Sequence, residues 1–272
     1  MIDWVAKTIR SPTQRAGALI LAAVLVVALA APILGYNIAT DVHPEATNLG
    51  PSAEHWLGTD HLGRDTYWRL ILASRSFVGP GLLACWVASL LAIPAGALAA
   101  YRGGATEAVL RYGFTVLASL PRFVLVLLVC TIYGDDLYLL AIAVGIAYTP
   151  TLGEAIFSRI ETLRSQQFVL ANRAYGLSSF RILWFHLVLA ACGRLIARHL
   201  LALFAYFLVL ETTLSYIGNL GVQEPMPSWG NMLVFEWSSE LSLNVIAPVL
   251  AIWFTVAATT WLASAFGELT ND

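Results

Sequence analysis

The chain has 272 residues, of which 58% are hydrophobic and 12% charged, with a formal net charge of -2. A soluble globular domain carries about a quarter of its residues as Asp, Glu, Lys and Arg, so this chain has too little charge to solvate a globular surface of its size. The balanced charge, with no basic arm or tail, argues against nucleic acid as a partner.

A spanning helix needs about 20 mostly apolar residues, and six runs of the sequence meet that need. Residues 1–15, holding Lys7, Arg10 and Arg15, read as a cytoplasmic N-terminal segment. The first run, 16–40, has no charge and is too long for a signal-peptide core, so it reads as a retained first span. An extracytoplasmic segment, 41–75, follows. Within it, residues 55–65 read HWLGTDHLGRD and bring His55, His61, Asp60 and Asp65 together. These are metal-ligand types. The expected reading is structural instead: a turn at Gly58, then a helix capped by Thr59 or Asp60. That helix would hold Leu62, Tyr67, Leu70 and Ile71 against the membrane surface.

The second run is 76–101, bounded by Arg75 and Arg102. The third, 111–133, is interrupted by Pro121 and Arg122, and the fourth is 137–157. A cytoplasmic segment, 158–188, separates it from the fifth run, 189–217. A second extracytoplasmic segment, 218–243, leads into the sixth, 244–266. The expected fold is an all-α membrane protein of six transmembrane helices, with one transmembrane domain over about 75–267.

Arginine placement gives the orientation, because cytoplasmic loops carry the excess of Lys and Arg. With the N-terminus inside, Arg102, Arg111, Arg159, Arg164, Arg173 and Arg181 fall in the cytoplasm, and both termini lie there. The outer segments are then acidic, with Asp41, Glu45, Glu54, Asp60, Asp65, Asp135, Asp136, Glu224, Glu236 and Glu240.

Lys7 is the only lysine, so no Walker-type phosphate loop is possible and any ATP coupling would have to come from a partner. Cys85, Cys130 and Cys192 lie in or beside apolar runs, without metal-site spacing, and read as small packing residues. Neither a Ser-His-Asp set nor paired carboxylates suggest catalysis. The expectation is a non-enzyme with no cofactor or metal of its own.

Two further features stand out. Between Gln166 and Val188, apolar residues recur at helical spacing on both sides of Gly176. Gly176 can end one short helix in the left-handed region, and Ser178 or Ser179 can cap the next. The product is a helix-turn-helix under the membrane with exposed aromatics, suited to a partner or to the headgroup layer. The second feature is Arg122 within the third run. A charge there has to face a partner or a wet cavity. It either lines a pathway and attracts an anionic group, or pairs with Glu154 or Glu211. Glu211 is itself a second pathway candidate.

These residues resemble the second-type permease of bacterial oligopeptide, dipeptide and nickel ABC importers, over nearly the whole chain. Three stretches carry the resemblance: His55 to Arg75; Leu210 to Met232, which contains LSYIGNLGVQEPMPSWG; and the cytoplasmic loop, similar to the EAA loop of such importers. In that loop Leu170, Ala171 and Asn172 stand where the family usually has Glu-Ala-Ala.

The resemblance implies a type I importer permease in the bacterial inner membrane. It also implies a second homologous permease, two cytoplasmic ATPases carrying ATP and Mg, and an extracytoplasmic solute-binding protein. Phe168, Ala171, Asn172, Arg173, Gly176, Leu177 and Arg181 would form the ATPase-coupling loop. His55, Gly58, Asp60, Gly63, Arg64, Asp65, Pro227, Trp229 and Gly230 would form a structural or gating motif. The solute would be a small peptide or a nickel or other metal chelate. The alternative is an ion-gradient-driven carrier, whose usual pair of broken helices in repeated halves is not evident here.

Overall fold

In a computed structural model, residues 11–34, 40–134, 136–217, 220–236 and 243–267 are described, and among them every regular element is helical. The helices are α1 (Pro12–Leu34), α2 (Thr66–Ala73), α3 (Arg75–Arg102), α4 (Gly104–Ser119), α5 (Arg122–Tyr133) and α6 (Leu137–Leu163). They continue with α7 (Gln167–Ala174), α8 (Ser179–Ala191), α9 (Gly193–Ile217), α10 (Asn231–Glu236) and α11 (Leu243–Gly267). Five are long and apolar enough to cross a membrane, and the bent pair α4–α5 makes up to six.

The central pair is α3 and α6. Ala84, Ala88, Ala92, Gly96 and Ala100 recur every fourth residue on α3 and are all buried. On α6, Ala141, Gly145, Thr149 and Gly153 do the same. Lipid tails are as apolar as any side chain, so membrane helices associate through close backbone approach along such small-residue stripes. The approach here is tight: a Cβ on Gly96 would lie 2.4 Å from the Gly153 carbonyl oxygen, and one on Gly145 would lie 2.8 Å from that of Ala84. Around this pair α9 packs on α3, α11 on α9, and α1 on α11. The outer faces keep large apolar side chains exposed, Leu19, Leu29, Trp86 and Trp253 among them, as a lipid-facing surface requires.

Several boundaries differ from the sequence expectation, each for a local reason. The third run is not one span over 111–133. It begins in α4 at Gly104, breaks at Leu120–Pro121, and α5 leaves at 73°. A residue before proline is pushed out of the helical region, and Leu120 is extended, with φ -84° and ψ 125°. The fourth helix runs six residues further than 157, to Leu163, where Arg164 turns back to donate to the Ala100 carbonyl at 2.8 Å. Residues 189–191 belong not to the fifth span but to the end of α8, whose stretch Ile182–Ala191 is wound as a π-helix. The first helix starts at Pro12 rather than residue 16, and the part of that expected span over 35–39 lies outside the described residues.

Candidate functional site

The outer segment folds around two glycines. Gly58 and Gly63 have φ of +83° and +75°, a region that costs other residues a Cβ clash. There is no room for a side chain either: a Cβ on Gly63 would lie 1.9 Å from the His43 carbonyl oxygen. The loop this creates keeps residues 59–64 out of a helix, so the expected cap at Thr59 or Asp60 is corrected. The helix is α2, it starts at Thr66, and Asp65 caps it by accepting from the Trp68 amide at 3.0 Å. Leu62 is therefore in the loop, not on the helix.

Asp60 has a different task. Its Oδ1 accepts from the amides of Leu62 and Arg64, both at 2.9 Å, and its Oδ2 accepts from Arg64 Nε at 2.7 Å. Arg69 Nε lies 3.3 Å from the same Oδ2. Across the segment Glu224 completes the set, bonded to Arg64 Nη1 and accepting from Arg69 Nη2 at 3.1 Å. Two carboxylates thus balance two guanidiniums that are only 1% and 2% exposed. Burial on its own would lower the Arg64 pKa, but the Glu224 hydrogen bond and the charges of Asp60 and Glu224 outweigh it and raise it.

Neighbouring bonds fix the rest of this face. Asn244, at the start of α11, donates to the Thr59 carbonyl at 3.0 Å and accepts from Thr66 at 2.8 Å. Trp229 donates to the Leu70 carbonyl at 3.0 Å and stacks on Phe77 with ring centroids 4.7 Å apart. Pro227 is buried with it, and a Cβ on Gly230 would lie 2.2 Å from the Thr212 carbonyl oxygen. The two stretches singled out in sequence therefore meet as one lock joining 41–73, 220–231 and the start of α11. His55 pairs with Asp65 at 2.8 Å. Among the described residues no three His, Cys, Asp or Glu side chains are grouped to hold a metal.

The segment between α6 and α9 has the expected helix-turn-helix form. At the end of α7 the Gly176 amide bonds the Arg173 carbonyl and the Leu177 amide bonds that of Asn172, both orphan carbonyls of the last turn. Gly176 has φ +81°, and Ser178 accepts from the Arg181 amide at 3.4 Å. Val169 and Leu177 face the core, and Arg173 sits 5.5 Å from the Tyr101 ring at the end of α3. Phe168, Tyr175 and Phe180 are exposed by 40%, 85% and 67%, leaving an aromatic outer surface. Ala171 and Arg181 are exposed as well.

The two intramembrane charges part company. Glu211 is fully buried and bonded to Ser215 at 2.8 Å, so it does not line any open face of this chain. Arg122 is exposed at the α4–α5 bend, bonded to the Thr151 hydroxyl and 5.4 Å from the Tyr148 ring. The alternative of a pair with Glu154 or Glu211 is corrected: Glu154 is taken by Arg111 at 3.3 Å. Sequence reasoning missed Thr151 and Tyr148 as its neighbours. Their spacing from Arg122 becomes legible only once the break at Pro121 is known.

A bundle of long apolar helices packed along small-residue stripes, with a polar lock at one end and an exposed helix-turn-helix, defines a multi-pass membrane protein. A family model described as the binding-protein-dependent transport system inner membrane component matches residues 92–270. The dipeptide transport system permease protein of Alkalihalophilus pseudofirmus is 30% identical over 217 residues, covering 80% of this chain and 71% of that protein. The oligopeptide transport system permease protein of Bacillus subtilis is 29% identical over 222 residues, covering 79% and 70%. The nickel transport system permease protein of Escherichia coli is 29% identical over 225 residues, covering 81% and 79%. This chain belongs to the family of inner membrane permease components of binding-protein-dependent transport systems, and it is an all-α ABC importer permease rather than an ion-gradient-driven carrier.

Proposed function

We propose that this chain forms half of a translocation pathway for small peptides or for nickel or other metal chelates, the solute classes in its relatives' names. A second, homologous permease supplies the other half. Two ATPases, holding ATP and Mg, dock on the cytoplasmic loops, and an extracytoplasmic binding protein delivers the solute to the locked face. Both termini lie in the cytoplasm, since the arginines at 102, 111, 159, 164, 173 and 181 would otherwise violate the positive-inside rule.

The observation that carries this reading is the exposed aromatic surface of α7 and α8. Arg173 of α7 sits over the Tyr101 ring at the end of α3, and Arg164, which caps α6 just before α7, bonds the Ala100 carbonyl of α3. A push on it is delivered directly to the central pair. On this reading Phe168, Ala171, Asn172, Arg173, Gly176, Leu177 and Arg181 form the coupling element.

Large aromatic anchors at an interface typically contribute 2 kcal/mol or more each, that is, roughly thirtyfold in affinity. The double variant Tyr175→Ser, Phe180→Ser is therefore expected to lower capture of the ATPase subunits by at least about tenfold in a pull-down of the detergent-solubilised complex. The isolated chain should unfold at the same temperature as the parent, because neither ring packs in the core. Unchanged ATPase capture would contradict the coupling role.

A further inference from the structure

Several charged groups among the described residues meet an opposite charge or a backbone group. Asp60, Arg64, Arg69 and Glu224 neutralise one another, Arg111 is held by Glu107 and Glu154, and Arg164 bonds the Ala100 carbonyl. Arg122 differs. Among the described residues no carboxylate lies within ion-pair distance of it, and its neighbours are neutral. They are the Thr151 hydroxyl and the Tyr148 ring. The Tyr148 hydroxyl makes no hydrogen bond among the described residues.

Thr151 stands near the middle of the 27-residue α6, which places the cluster at about the bilayer midplane. A guanidinium at that depth cannot face hydrocarbon. Its side of the bundle therefore borders water or protein. The proline break opens this side: α5 turns away by 73°, its first turn has no side-chain cap, and Arg122 is exposed at the corner.

We propose that Arg122, with Thr151 and Tyr148, forms a subsite for a carboxylate of the transported solute, the terminal carboxylate of a small peptide. This rests on the permease reading above and deepens it. The planar fork of the guanidinium matches a carboxylate with two parallel hydrogen bonds. One positive charge with neutral hydroxyl donors suits a monoanion. The exposed apolar neighbours Val116, Leu120 and Phe123 leave the wall tolerant of the peptide's side chain.

The test uses the full complex in proteoliposomes: this chain, its partner permease, the ATPases and the binding protein. The probes are the dipeptide Ala-Phe and its C-terminal amide, offered with and without ATP. Wild type is expected to take up the free acid in preference to the amide. Arg122→Gln is expected to lower uptake of the acid at low concentration by about 10- to 100-fold, the worth of a hydrogen bond to a charged group, with amide uptake unchanged. Arg122→Lys should restore part of it.

An acid preference that survives Arg122→Gln overturns the subsite. So does an equal loss for both probes, or a complex that no longer assembles in detergent, either of which assigns Arg122 to a carboxylate of the partner subunit. A wild-type complex whose ATP hydrolysis rises with binding protein but which imports neither probe overturns the peptide subsite and leaves the permease reading standing. Absence of that hydrolysis response overturns both.

Discussion

Asp60→Ala should destabilise the detergent-solubilised chain by about 3–5 kcal/mol, the usual cost of removing one partner from a buried ion pair. The carboxylate holds two amides of the 60–64 turn, bonds Arg64 at 2.7 Å and lies 3.3 Å from Arg69. Without it, two guanidiniums at 1% and 2% exposure share Glu224 alone, whose side chain is already 32% exposed. Asp60→Asn keeps an acceptor for the turn amides while losing the charge, and should fall between the parent and the alanine variant. Glu45→Ala is the control, since Glu45 is exposed and meets only His43; it should stay within about 0.5 kcal/mol. Thermal unfolding followed by tryptophan fluorescence reads all three. An Asp60→Ala curve that overlays the Glu45→Ala curve would show that the lock contributes nothing to stability.

The second large effect lies in the bundle itself. Gly96→Leu places a side chain where even a Cβ would be 2.4 Å from the Gly153 carbonyl oxygen. Backbone cannot yield as a flexible side chain can, so α3 and α6 have to separate. Overpacking of this kind usually costs about 1–3 kcal/mol and occasionally more. The upper end is expected here, because both helices meet along small residues over several turns. Gly113→Leu on α4 is the matched comparison, with no atom within 4 Å of its Cβ position. Size-exclusion profiles and thermal unfolding in detergent should show an aggregated or strongly destabilised Gly96→Leu and a near-normal Gly113→Leu. Equal behaviour of the two would mean that the α3–α6 stripe does not organise the bundle.

Much of this fold could be read before any coordinates, because the bilayer imposes a length and a hydropathy on each span. The second and sixth runs, expected at 76–101 and 244–266, correspond to Arg75–Arg102 and Leu243–Gly267. What stayed hidden was geometry set by contacts distant in sequence. Asp60 looked like a helix cap because it follows a turn glycine and precedes an apolar pattern. Its partner Arg69 is nine residues away, Glu224, which shares both arginines with it, is 164 residues away, and no local rule predicts that they converge. The bend at Pro121 was visible as an interruption, yet its angle and the exposure of Arg122 depend on how α5 packs against α6. Glu211 shows a related limit: a carboxylate in an apolar run signals something wet or paired, and here it is fully buried, bonded to Ser215 one turn on in its own helix with Ser76 and Ser228 reaching it from distant segments. The helix-turn-helix at 167–191 was the most legible site, because a left-handed glycine and a capping serine are local devices.

The most direct test of the account is solute uptake by proteoliposomes containing this chain, its partner permease, the ATPases and the binding protein. Short peptides and nickel chelates are offered in turn, with ATP or with an ion gradient alone. The account predicts ATP-dependent, binding-protein-dependent uptake that the Tyr175→Ser, Phe180→Ser variant lowers in step with its weaker ATPase capture. Uptake driven as well by the ion gradient without ATP would contradict it.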